Sequence, residues 1–217
     1  MSSATITTSV RLMNSTPQTE EQAMVRKVAV SSFLGNFIEW FDYASYSYFA
    51  TTIALVFFPT DNHTVAMLQT FGVFALSFIL RPIGALFWGS YGDKKGRKAA
   101  LAHSIMFMSG ASFLIGCLPS YSVIGVGAPI LLLLLRMVQG FSASGEYAGA
   151  ATFLGEYAPT SKRGIYCSLI PASTAVGLLA GSTLATLMAT NMNSSAMVGW
   201  GWRVPFLLAG PLGLIVL

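Results

Sequence analysis

Apolar positions along this chain gather into six long runs separated by short polar stretches. A helix crossing the hydrocarbon core of a bilayer needs about 20 apolar residues at about 1.5 Å rise each. Six segments reach or approach that length: 28–58, 65–91, 99–118, 125–153, 165–190 and 202–217. The breaks carry turn-forming residues, in "FFPTDNHT", "YGDKKGRK", "LPSYS", "EYAPTSKRG" and "NMNSSAMVGWGW". The pattern predicts an all-α membrane protein of six transmembrane helices. Residues 1–27 have no apolar h-region and are rich in Ser and Thr, closing on Glu20, Glu21, Arg26 and Lys27. They predict a disordered polar tail, not a secretory signal.

Composition agrees, with 54% hydrophobic and 9% charged residues, against about 25% charged in a soluble domain. The net charge of +4 does not point to nucleic acid, because the basic residues sit in short clusters at helix ends. Nine of the 12 Lys and Arg lie in the tail (Arg11, Arg26, Lys27), the 93–98 loop (Lys94, Lys95, Arg97, Lys98) and the following basic loop (Lys162, Arg163). The 59–64, 119–124 and 191–201 loops have none. Positive residues stay inside, so the N-terminus is expected in the cytoplasm and the protein in the inner (plasma) membrane. Arg203, at an outer end, is the exception. Trp200 and Trp202 suit an outer aromatic belt and Trp88 an inner one. Cys117 and Cys167 fall near opposite faces, too far apart to bridge, and read as inert core thiols.

Charges inside the spans are the main candidates for chemistry. Glu39 stands 12 residues past Lys27, and Arg81 stands 12 before Asp93. Each therefore lies about 18 Å from its cytoplasmic helix end. Arg136, 11 residues past Gly125, comes out about 16 Å from the outer side, near the same level. Glu39 and Asp42 are three apart and share a face, and Glu146 lies deeper toward the cytoplasm. A charge at the helix centre costs about 2.5 to 3.5 kcal/mol on insertion scales, so five of them need partners or water. Two readings stand. Glu39–Arg81 is a structural ion pair joining helices, or the layer is a substrate and proton site in which a desolvated carboxylate loads and releases protons. Trp40, Tyr43 and Tyr46 crowd the same turns, and their faces suit a quaternary ammonium group or simply helix packing.

The stretch "GSYGDKKGRKAAL", from Gly89 to Leu101, resembles the loop between the second and third helices of the major facilitator superfamily. Its glycines permit a tight turn, and Asp93 is placed to cap a helix or pair with Arg97. The resemblance implies a cytoplasmic gate built on Gly89, Asp93, Gly96, Arg97 and Lys98. "RMVQG", Arg136 to Gly140, is similar to the fourth-helix motif whose arginine is implicated in proton coupling. "EYAPTSKRG" looks like the loop after it, with Glu156 and Arg163 at the motif positions. With "GNFIEWFDY", "QGFSASGEYAGAATFLGEYAP" and "GWGWRVPF", the chain resembles the metabolite:proton symporter family from about Ala29 to Leu217, most closely its proline/betaine branch.

That resemblance implies the N-terminal half of a twelve-helix major facilitator fold. It implies proton-coupled symport of a small zwitterion by alternating access, with no cofactor beyond the proton gradient. The implied partners are the substrate, protons, the bilayer, and a C-terminal half or a second copy. An organic acid of the α-ketoglutarate, citrate or shikimate type is the alternative substrate, and a non-transporting truncated fragment or interaction partner the alternative role. An enzyme is not expected: there is no nucleotide loop, no metal-spaced His/Cys cluster and no nucleophile–base pair. Gly177 and Gly181 on the fifth span have small-xxx-small spacing, and Pro171 and Pro211 are expected to kink their helices.

Overall fold

The computed structural model describes residues 16–144 and 146–216, apart from the side chains of residues 16–22, 146–148, 152, 153, 157 and 216. The described chain is helical and joined by short turns. Its elements are α1 (Thr16–Tyr48), α2 (Ala50–Phe57), α3 (His63–Ile79), α4 (Arg81–Lys95), α5 (Arg97–Cys117), α6 (Tyr121–Ile124), α7 (Gly127–Ala143), α8 (Glu146–Tyr157), α9 (Arg163–Asn191), α10 (Ser194–Ala196), a π turn (Met197–Gly201) and α11 (Arg203–Val216). They follow the six expected spans: α1–α2, α3–α4, α5, α7–α8, α9 and α10–α11.

Four stretches are apolar and long enough to cross a bilayer by length and composition: His63–Lys95, Arg97–Cys117, Arg163–Asn191 and Ser194–Ile215. The other two differ for physical reasons. α1 turns Ser32, Asn36, Glu39, Asp42 and Ser45 into the protein interior, which dilutes its apolar character without exposing those groups to lipid. α7 is apolar but only 17 residues long. The second span, expected to be continuous, breaks at Leu80, because Pro82 in the first turn of α4 has no N–H to give Phe78. Residues 16–27, read from the sequence as tail, begin α1, and Val25 is 1% exposed in a cluster with Ala29, Leu154 and Ile170. Residues 1–15, Arg11 among them, lie outside the described residues.

α1 is the central element, packed against α9, α11 and α8, while α5 packs on α11 and α7, and α3 on α7. Small residues set the spacing. A Cβ on Gly177 would lie 2.7 Å from the Phe37 carbonyl oxygen, and one on Gly181 2.6 Å from the Ala44 Cβ, so the small-residue spacing brings α9 onto α1. A Cβ on Gly140 would overlap the Ser77 backbone, which holds α7 directly against α3. Asn36, 2% exposed, adds a polar clamp: its Nδ2 donates to the Ile170 carbonyl at 3.1 Å, to Ser173 Oγ at 2.8 Å and to Thr174 Oγ1 at 2.9 Å, beside Pro171. With little hydrophobic force between helices in lipid, such contacts and close backbones hold the bundle.

Three readings of isolated residues change. Trp202 is fully buried against Phe57 and Phe206, so at this end only Trp200, 56% exposed, stands in a belt position. Trp88 is buried too, its Nε1 donating to the Phe141 carbonyl at 3.1 Å. Cys117 is exposed at the end of α5, not in the core. In each case residue type suggested a depth, whereas the turn on which the residue falls decided its surroundings.

Replacing Gly140 by Ala should lower the unfolding midpoint in detergent, because the added methyl forces α7 from α3 at a cost of about 1–3 kcal/mol. Gly89→Ala, which meets no atom within 4 Å, is the control and should leave the midpoint unchanged or raise it.

Candidate functional site

Glu39 and Asp42 lie three residues apart on α1, about 60° apart around its axis at 3.6 residues per turn. That divergence sends them to different helices. Arg81 at the start of α4 pairs with Glu39 through Nη2, and the same nitrogen meets the Tyr43 hydroxyl. Arg136 on α7 places Nη1 2.5 Å from Asp42 Oδ2. The sequence put the two carboxylates on one face; the bundle gives each its own arginine.

The two pairs differ in access. Asp42 is 4% and Arg136 1% exposed, deep in the bundle. Gln139 Nε2 bridges Asp42 Oδ1 at 3.1 Å and Ser112 Oγ at 2.5 Å, tying α1, α7 and α5 into one network. The Arg136 guanidinium lies 3.9 Å from the Tyr46 ring centroid, and Tyr46 donates its hydroxyl to the Thr70 carbonyl at 2.8 Å. Tyr46 is thus fully buried support for the network, away from the open face. Among the described residues Arg136 Nε and Nη2 have no hydrogen-bond partner, so the buried pair keeps donors that its carboxylate does not use.

Glu39–Arg81 instead opens outward through its arginine, since the Glu39 side chain is itself only 5% exposed. The Arg81 side chain is 30% exposed and lies 4.6 Å from the Phe78 ring centroid. Two grooves meet at it. One, of about 560 Å³, is lined by Glu39, Trp40, Arg81, Pro82 and Ser144. The other, of about 690 Å³, runs along Trp40, Tyr43, Ser47, Phe74 and Ser182. A carboxylate, a guanidinium, aromatic faces and hydroxyls therefore share one open wall between α1, α3–α4 and α9. Trp40 and Tyr43, singled out from the sequence as aromatic contacts, stand on it.

The remaining candidates are spread along the chain. Gly96 joins α4 to α5 with φ +94°, a conformation that favours glycine, and Arg97 Nη2 lies 3.1 Å from Asp93 Oδ1. Both side chains are more than half exposed, so this pair contributes little to stability by itself. Gly89, Arg97 and Lys98 border a cavity of about 160 Å³ together with Trp88 and Ser104. Glu156 and Arg163 are exposed, and no ion pair joins them. Glu146 begins α8, and its side chain lies outside the described residues. Sequence reasoning passed over Gln139, Ser112 and Asn36. Gln139 stood inside the "RMVQG" motif three residues after Arg136, and a second polar side chain at helical spacing in an apolar span was its signal.

A bundle of membrane-length helices with balanced charge in its interior and an open polar wall has the architecture of a membrane carrier's helical half. The chain belongs to the family described as Sugar (and other) transporter, which matches residues 27–217. It is 44% identical over 195 residues to the glycine betaine/proline/ectoine/pipecolic acid transporter OusA of Dickeya dadantii, covering 90% of this chain and 39% of that relative. The proline/betaine transporters of Salmonella typhimurium and Escherichia coli K12 match over the same shares at 43% and 42% identity. The chain spans about two fifths of these relatives' length. Among solved structures it resembles the proton:xylose symporter XylE bound to 6-bromo-6-deoxy-D-glucose (TM-score 0.77, 16% identity, 90% of this chain and 44% of that one). It also resembles partially occluded, inward-open XylE from E. coli (TM-score 0.75, 20% identity, 88% and 46%). The fold is that of a major facilitator half, and the protein is a multi-pass membrane protein.

Arg136→Ala leaves Asp42 as an uncompensated buried charge and should cost about 3–5 kcal/mol of stability. Adding Asp42→Asn should recover most of that loss. A double-mutant cycle on detergent unfolding midpoints checks the coupling, which is absent if the two losses simply add.

Proposed function

We propose that this chain forms the N-terminal half of a proton-coupled symporter for a small zwitterionic osmolyte of the proline/betaine kind, working by alternating access. The observation that carries this reading is the open wall on which Glu39 and Arg81 stand together with Trp40 and Tyr43. A zwitterion offers a carboxylate to Arg81 and a cationic centre to Glu39 and the aromatic faces. The relatives' names support that class, since they specify proline, betaine and similar solutes.

Charge balance favours the zwitterion over an organic acid. Each arginine of the layer already has a carboxylate, so a ligand of zero net charge enters without leaving an excess charge at the bilayer midplane. The buried Asp42–Arg136 pair takes the coupling role, with Gln139 holding Asp42 in place. A proton on Asp42 weakens its hold on Arg136, whose unpartnered nitrogens then seek new acceptors. A second six-helix half, or a second copy, closes the open wall and rocks against this one. The Asp93–Arg97 turn serves as cytoplasmic gate, Lys98 as its basic flank, and Glu156, Arg163 and Glu146 as the supporting charges of the fourth-to-fifth connection. The basic loops support an N-terminus in the cytoplasm and residence in the inner membrane.

The test is uptake of labelled glycine betaine and proline by vesicles carrying the complete gene product, driven by an imposed pH gradient. Asp42→Asn should abolish gradient-driven uptake while the protein still inserts in the membrane. Retained uptake with an unchanged pH dependence would remove Asp42 from proton coupling. An osmolyte-blind wild type that accumulates α-ketoglutarate or citrate would move the substrate to the organic acids.

A further inference from the structure

The end of the bundle remote from the basic 93–98 loop holds a crevice of about 510 Å³, well away from the Glu39–Arg81 wall. It lies where the end of α2 meets the connections before α7 and α11. Its polar lining consists of Ser120, Tyr121, Ser122, Trp202 and Arg203, with Leu55 and Val198 as apolar walls. The polar side chains there all carry N–H or O–H donors, and no carboxylate lines it.

Among the described residues Arg203 is the one Lys or Arg at this end, and part of its function is structural. Its Nη1 donates to the Gly116 carbonyl at 2.9 Å and the Leu118 carbonyl at 2.5 Å, closing the C-terminal end of α5, where free carbonyls favour a cation. Its guanidinium carbon sits 4.6 Å from the Trp202 ring centroid. The rest of the guanidinium fork has no protein acceptor among the described hydrogen bonds. Trp202, which also lines the crevice, is fully buried, and among the described residues its indole Nε1–H has no partner. A buried donor left unmade costs about 1–3 kcal/mol. Ser120 and Ser122 hydroxyls lie 2.7 Å apart at the crevice mouth, where one of the two protons remains to be given.

The source of the acceptor follows from position. Arg203 caps the last carbonyls of the membrane-length stretch Arg97–Cys117, and the end of such a stretch is the level of lipid headgroups. The apolar surface beside the crevice is open, with Leu55 at 55% and Trp200 at 56% exposure. We propose that the crevice binds the phosphate of a phospholipid in this leaflet, with Arg203 and the Ser120–Ser122 pair on the phosphate oxygens and an acyl chain along Leu55. The site ties α2, α5 and α11 together at one end and is separate from the transport reading.

The complete protein, purified in mild detergent and stripped of lipid, is mixed with dioleoyl phosphatidylglycerol, and bound lipid per chain is read by native mass spectrometry. Arg203→Gln should reduce occupancy of the tightest site about tenfold, the loss of one charge-assisted contact. Because Arg203 also closes α5, the double variant Ser120→Ala, Ser122→Ala, which leaves that cap untouched, should still reduce occupancy two- to threefold, on the order of a neutral hydrogen bond. Unchanged occupancy in the double variant with wild-type helicity overturns the proposal. So does displacement of the lipid by inorganic phosphate at millimolar concentration, which assigns the crevice to a free anion.

Discussion

Charge cannot stand alone at the middle of a bilayer, and that constraint organises this bundle. α1 carries two carboxylates into the interior, and each must find a cation on another helix. Arg81 and Arg136 answer from α4 and α7, so the ion pairs also specify which helices neighbour α1 and at what height. Gln139 extends the second pair to Ser112 on α5. Four spans are thus registered against one another by polar contacts in the region where a hydrophobic driving force between helices is weakest.

The same bundle separates two kinds of charged pair by access alone. Asp42–Arg136 is enclosed, with the rings of Tyr46 and Phe206 around its guanidinium. Glu39–Arg81 lies at a break in the second span, where Pro82 starts a new helix and the grooves meet. Identical chemistry, acid with arginine, thus meets different access at two radial positions. Under the proposed function the buried pair serves an internal change of charge and the accessible one a ligand.

Close approach is the second organising device. Where Gly177 and Gly181 meet α1 and Gly140 meets α3, backbones touch with no side chain between them. Asn36 adds hydrogen bonds at the Pro171 site, where the proline leaves α9 one backbone donor short. At the far end Arg203 closes α5 with its guanidinium. Its breach of the positive-inside pattern has a local cause, since helix-end carbonyls attract a cation whichever side they face.

The sequence by itself determined the all-helical architecture, the long apolar helical segments, the charges set inside them and the basic turn at 93–98. Those follow from local quantities: run length, composition, rise per residue and glycine where φ is positive. It also named all four members of the two interior ion pairs, because an ionisable residue inside an apolar run is conspicuous. Only the tertiary structure decided who pairs with whom. A 60° difference around α1 separates Glu39 from Asp42, and that angle has meaning only once α4 and α7 occupy their places. Burial of Trp88 and Trp202, the supporting roles of Gln139 and Asn36 and the break at Leu80 likewise depend on what a neighbouring helix presents. Pattern along one chain records which faces are apolar; partners across an interface are recorded only in how the faces meet.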